Sequence, residues 1–376
     1  MYRFSRYLST AFLKRLVYKV EPITGQRNVI ANITYDDAIL ALGCNEGGRY
    51  SDFRARMGQI HSIQTTDRYV ILAENSYLYD PCSEVNYNNS ISHYKNTFSF
   101  EKNDTESRIY IVNKCGGDDD DAVVARIKVP PFFITHVLGS YEDLETNILH
   151  FDVLKYNDSR PYDTWTDTRV ITNGTVRDQA TNVMRYSIKM ENWSIVETRN
   201  LITDPNIRQD FEFSNINPAY YGRPYKYAYM TQNVYALNGA VIKLNVDTGE
   251  IIKKELPDGL FPTEPIFVAD PEGTEEDDGV ILMSGVDGGK EKGFIIVYNA
   301  TNMDELFRGT APKKTLLGLH SKFYPFHVGC SQDDCTPHSS SSEPPNNGAG
   351  KFTAPGNWLF NIILVIPIMV TNQMIH

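Results

Sequence analysis

Between residues 20 and 330 the apolar residues of this chain come in short runs closed by turn-forming residues, and helical periodicity is hard to find. Arg68-Tyr-Val-Ile-Leu-Ala, Arg108-Ile-Tyr-Ile-Val, Ala122-Val-Val-Ala-Arg-Ile-Lys-Val, Asn147-Ile-Leu-His-Phe-Asp-Val-Leu and Lys226-Tyr-Ala-Tyr-Met have the length and composition of strands. Ala240-Val-Ile-Lys-Leu-Asn-Val and Glu250-Ile-Ile-Lys-Lys flank Asp247-Thr-Gly, which predicts a hairpin in which Gly249 supplies a positive φ. Gly279-Val-Ile-Leu-Met-Ser and Gly293-Phe-Ile-Ile-Val-Tyr flank a Gly-rich turn and predict a second one. Hairpins succeeding one another without helices restrict the fold to an all-β sandwich, barrel or propeller. The pattern alone does not choose among the three.

The abundance of aromatic residues, 23 Tyr and 18 Phe, agrees with strands, which they favour. At 41% hydrophobic the chain can build a sizeable core. A net charge of −11 argues against nucleic acid as a partner, because phosphate binding needs clustered Lys and Arg. Five cysteines do not make a disulfide framework. Cys330 and Cys335 are close enough for a small loop bridge, and with His327 and His338 they have the outline of a metal clip. The Ser- and Asp-rich context favours an ordinary loop over a zinc site.

The two ends point to different compartments. Met1 to Tyr18 carries four basic residues and no acid, as a mitochondrial transit peptide does; an incorrect exon join or a truncated start is the alternative. Residues 331–357 form a low-complexity linker, and 358–376 a tail whose Trp358–Val370 stretch is 13 mostly apolar residues. As a helix that stretch spans about 20 Å, short of a bilayer core. Small residues at Asn347, Gly348 and Ala349, a spacer and the short tail match a GPI-attachment signal, with a tail anchor or a peptide packed on the domain as alternatives. Sequons at Asn32, Asn88, Asn103, Asn157, Asn173, Asn192 and Asn299 agree with a secretory route and a glycoprotein. The reading favours the secretory route and the cell surface, with a GPI anchor through the tail as one means of membrane attachment, and leaves a mitochondrial or cytoplasmic location as alternatives.

None of the eight histidines forms a local metal pair such as HExxH. His93, His150 and His376 read as structural or surface residues. Three others take meaning from longer motifs. Asp210-Phe-Glu-Phe-Ser-Asn-Ile-Asn, Tyr221-Gly-Arg-Pro-Tyr-Lys-Tyr-Ala-Tyr, Ala240–Gly249 and Thr263-Glu-Pro-Ile-Phe-Val-Ala-Asp-Pro, running into Glu275-Glu-Asp-Asp-Gly-Val-Ile-Leu, resemble the carotenoid cleavage oxygenases of the animal branch over about residues 19 to 325. The resemblance implies a seven-bladed β-propeller with one Fe2+ on its axis, held by four histidines. Gly58-Gln-Ile-His61-Ser falls on the second ligand motif, Phe133-Ile-Thr-His136 on the third and Leu317-Gly-Leu-His320 on the last. Separations of 75 and 184 residues suit ligands delivered by different blades. By the same resemblance Glu212 supports His136 and Glu264 supports His320, accepting the far ring N–H and fixing the tautomer.

The chain departs from the pattern at one end. Lys19-Val-Glu-Pro-Ile-Thr-Gly fits the segment after the family's first ligand, but Val17 and Tyr18 stand where His and Pro are expected. Taken this way, residues 19–330 are a propeller lacking about two N-terminal blades, with the first ligand missing through an incorrect exon join or truncated gene model, or through a real loss. Gln59 replaces a Tyr before the second ligand, and Gly139 an Asn after the third. The activity implied is iron-dependent cleavage of a carotenoid or apocarotenoid double bond by O2, giving aldehydes. Retinoid isomerohydrolysis on the same iron, or a non-catalytic propeller that binds carotenoid or retinoid, are the alternatives.

Overall fold

The computed structural model describes residues 2–8, 13–21, 24–34, 58–79, 98–100, 106–116, 122–156, 158–159, 181–232, 239–315, 318 and 320–323. The chain divides into two compact units, Met1–Leu317 and Gly318–His376. His93, His327, His338 and His376, the Cys330–Cys335 pair, the linker, the apolar tail and the sequons Asn88, Asn103, Asn157 and Asn173 lie outside the described residues. Among the described residues no helix is long and apolar enough to cross a membrane.

The first unit is built from antiparallel sheets in chain order. The basic N-terminal stretch supplies β1 (Tyr2–Leu8) and β2 (Leu13–Val20), which pair with β3 (Arg27–Thr34) in a three-stranded sheet. Four four-stranded sheets follow. The first of these is ordered β4 (Ile63–Thr65), β5 (Tyr69–Glu74), β8 (Ser107–Asn113), β9 (Val123–Val129), with β6 (Tyr77–Tyr79) and β7 (Phe98–Phe100) pairing apart from it. Next come β10 (Phe133–Asp143), β11 (Ile148–Tyr156), β12 (Thr181–Lys189) and β13 (Ser194–Asn200), then β14 (Phe211–Ile216), β15 (Tyr227–Gln232), β16 (Ala240–Asn245) and β17 (Ile251–Glu255). The last is β18 (Leu260–Ala269), β19 (Gly279–Asp287), β20 (Lys292–Asn299) and β21 (Glu305–Lys314). All five predicted runs and both predicted hairpins are strands, and Gly249 has φ +78° at its turn.

Strand sides alternate with a period of two, and here both sides are buried. Val70 and Leu72 of β5 join Val17, Ala31 and Ile33 of the preceding sheet, whereas Ile71 between them joins Leu149, Phe151 and Val153 of the following one. On β16, Ile242 and Leu244 pack with Leu154 and Val183, while Val241 packs with Phe267 and Ile281. Each apolar cluster thus sits between two consecutive sheets. That is why the central strands read as unbroken apolar runs, while the outer strands β13, β17 and β21 are largely exposed. Successive four-stranded sheets stacked face to face are the blades of a β-propeller.

Polar ties fix neighbouring blades. Glu142, on β10, accepts hydrogen bonds from Thr66 Oγ1 at 2.6 Å and the Arg68 amide at 3.0 Å, and pairs with the Arg68 guanidinium. Burial pushes the Glu142 carboxyl up, but the bonds from Thr66 and Arg68 outweigh it and hold the group below the usual range. A carboxyl lowered in the folded state stabilises above its unfolded pKa of about 4.3, and the contribution is lost as pH falls through the folded value. Glu142→Gln is expected to cost about 1–2 kcal/mol at neutral pH. In thermal unfolding from pH 7 to 3 the gap to wild type should close on the acid side; a gap independent of pH would contradict this role.

Candidate metal centre

The first strands of three consecutive blades, β10, β14 and β18, share one irregularity. Pairing with the neighbouring strand slips by one residue between Ile134 and Val137, between Glu212 and Asn215, and between Pro262 and Pro265. Each slip is a β-bulge, two residues standing where the partner strand has one: Thr135 with His136, Phe213 with Ser214, Thr263 with Glu264. A bulge re-aims side chains that regular alternation would send into a sheet face. Phe213 has φ +52°, a left-handed value unusual for a side chain of its size. Such strain persists where surrounding structure enforces it, commonly at functional sites.

His136 projects from the first bulge with its ring largely buried and is held by Glu212 of the next blade. Its Nδ1 meets Glu212 Oε2. The carboxylate, 3% exposed, is saturated: Oε1 accepts from Thr135 Oγ1 at 2.7 Å and from the Tyr156 hydroxyl, and Oε2 also takes the Phe213 amide at 3.2 Å. Burial pushes this carboxyl up; the contacts with His136, Tyr156 and Thr135 more than offset it, and the group is held below the ordinary carboxylate range. An ionised carboxylate can only accept, so Nδ1 of His136 carries the proton of this contact, which leaves Nε2 as the ring's nitrogen for a metal. Phe213 packs on the imidazole at 5.1 Å between ring centres.

His61 arrives from the preceding blade, on the segment just before β4. Its ring meets that of His136 edge to face, centres 5.1 Å apart and planes at 87°. Ligand nitrogens of the two rings lie within 4.8 Å of one another. Two bonds of about 2.1 Å to one ion span roughly 4 Å at most, so the pair stands close to bridging distance. Imidazole nitrogens, one ring oriented by a carboxylate, suit a first-row divalent metal. The donors present fit such an ion.

The other sequence-predicted residues fall as follows. Glu264 occupies the bulge of β18, half-buried, beside Tyr221. His320 is exposed and belongs to the Gly318–His376 unit. Val17 and Tyr18 are buried, Val17 wholly so in the cluster with Ala31, Ile33, Val70 and Leu72, so β2 turns an apolar side chain into the blade core. His150 sits in β11 against Tyr141 at 4.7 Å, with Ser187 Oγ at 3.2 Å from Nδ1. Thr135, Tyr156 and Phe213 were not singled out by sequence reasoning. Tyr156 had one usable signal: a Tyr closing an apolar run brings a hydroxyl that needs a buried partner.

Comparison with known proteins gives concordant matches. The family described as RPE65, retinal pigment epithelial membrane protein, matches residues 26–325. Carotenoid isomerooxygenase of Galleria mellonella is 28% identical over 284 residues, 71% of this chain and 52% of that protein. Torulene dioxygenase of Fusarium fujikuroi is 24% identical over 337 residues, 82% of this chain and 54% of that protein. The crystal structure of cobalt-substituted Synechocystis ACO superposes with a TM-score of 0.62 at 20% identity, covering 84% of this chain and 59% of that one. The chain spans about half the length of the curated relatives it matches.

Proposed function

Because this chain belongs to the RPE65 family of carotenoid cleavage oxygenases, we propose that it binds one Fe2+ through His61 and His136, with His320 as a further ligand, and cleaves a carotenoid or apocarotenoid double bond with O2. Family members are iron-dependent carotenoid dioxygenases. The observation that carries the reading is His136 held by a saturated Glu212 with His61 at its edge. Bound iron supplies the one-electron chemistry that makes dioxygen reactive toward a polyene.

The protein's own part is placement. Glu212 keeps the Nδ1 proton of His136 in place, and Thr135 and Tyr156 keep Glu212 in place. Phe213 shields one face of His136 from water. Glu264 is assigned the same service toward His320 that Glu212 performs for His136. The overall change is balanced: one C=C and one O2 give two C=O groups, so neither a hydrolytic nucleophile nor an external reductant is required.

The test is to load the full chain with Fe2+ and incubate it with β-carotene and with an apocarotenal under air and under 18O2. Two carbonyl products per double bond, labelled from 18O2, support cleavage. A second reading, pigment binding without cleavage, draws on Val17, which fills the blade core where the family's pattern expects the first ligand. Retention of intact pigment with no iron uptake would favour it, and isomerised retinoid from a retinyl ester would point to isomerohydrolysis instead.

A further inference from the structure

We propose that Asn75 is a positioning residue that sets the distance between His61 and His136, so that both reach one divalent cation. This rests on the metal reading above. The two histidines belong to different blades, and no β-ladder joins their segments among the described residues. Besides one direct bond between the two segments, what joins them is the turn Glu74-Asn75-Ser76 at the end of β5. Toward His61, the Asn75 amide donates to the Gln59 carbonyl at 2.9 Å, and Gly58 N–H donates to the buried Glu74 carboxylate at 2.6 Å. Toward His136, the Asn75 carboxamide makes a matched pair with the Ile134 backbone: Nδ2 donates to its carbonyl and Oδ1 accepts its N–H, both at 2.8 Å. Both anchor points, Gln59 and Ile134, lie two residues before a histidine. On the near side, Ser62 Oγ donates to the Thr135 carbonyl at 2.6 Å.

Asn75 is 1% exposed, and a Cβ added at Gly58 would stand 2.0 Å from the Asn75 carbonyl, so the His61 segment lies directly on this turn. A carboxamide on a single methylene presents donor and acceptor in one plane, as a backbone peptide does. Aspartate keeps the acceptor but turns a second one toward the Ile134 carbonyl. Alanine leaves both Ile134 groups unmatched.

The experiment is a Co2+ titration of the full chain, followed by visible absorption, for wild type, Asn75→Ala, Asn75→Asp and Ser107→Ala, with thermal unfolding of each metal-free protein. Ser107 is the control: it binds Ser76 and the Phe132 backbone in the same buried cluster but does not connect the histidine segments. Co2+ affinity of both Asn75 variants is expected to fall about tenfold or more, with an altered cobalt spectrum, while Ser107→Ala keeps wild-type affinity despite a similar loss of thermal stability. Equal affinity in wild type and the Asn75 variants, or an equal loss in Ser107→Ala, overturns the positioning role alone. If wild type takes up no cobalt, the metal reading falls and this inference with it. Should Asn75→Ala not fold, Asn75→Asp decides by the same criteria.

Discussion

His136→Ala is expected to abolish specific binding of a divalent metal, and changes at Glu212 to weaken it in the order Ala, then Gln. The imidazole is the buried donor of the pair, and its orientation comes from a carboxylate that four groups saturate. Removing such a supporting carboxylate costs about 10- to 100-fold in metal affinity. Glutamine should be milder than alanine for a local reason. Its amide nitrogen can face Thr135 and Tyr156, whose hydroxyls rotate to accept, leaving the amide oxygen for the His136 Nδ1–H. If Glu212→Gln and Glu212→Ala lost affinity equally, the contribution would be charge rather than orientation. Cobalt titration of the three variants reads the order directly.

The second large effect concerns stability. Asp152 on β11 and Arg185 on β12 are cross-strand partners, joined by two hydrogen bonds, Nε to Oδ1 at 2.8 Å and Nη2 to Oδ2 at 2.6 Å. Asp152 is 1% exposed and Arg185 4%, and Tyr225 from the following blade donates its hydroxyl to Asp152 at 2.5 Å. Asp152→Ala strands a guanidinium in the interior and is expected to cost about 3–5 kcal/mol in denaturant unfolding. Asp152→Leu with Arg185→Met removes both charges and should recover most of that loss, because a buried pair replaced by apolar residues is often nearly neutral. A single-variant cost under about 1 kcal/mol would mean that water reaches the pair. Burial first, then the Asp152 carboxylate, push the Tyr225 hydroxyl well above its usual range, so it stays a donor at any working pH.

The strands were legible because their signal is local. Runs such as Tyr69–Glu74, and a glycine at the φ +78° position of the β16–β17 turn, need nothing outside their own segment. What was ambiguous was which faces are covered. Val70, Ile71 and Leu72 are all fully buried, and only the stacking of blades on both sides of β5 explains an unbroken apolar run there. His61, His136 and Glu212 were picked out by motif resemblance, not by spacing, and the structure brings these three together. The bulges were not legible. A one-residue slip at Thr135–His136, Phe213–Ser214 or Thr263–Glu264 depends on register against a neighbouring strand, which no local pattern encodes. Asn75 was invisible for the same reason: its partners, Gln59 and Ile134, lie on either side of it in sequence and on different blades.

X-ray absorption at the iron edge of the full chain loaded with Fe2+ tests the central claim most directly. One tightly held iron per chain, with a first shell that shows the outer scattering of imidazole rings and loses it in His136→Ala, is the predicted result. Iron lost on gel filtration, or an oxygen-dominated shell unchanged by His136→Ala, would contradict it.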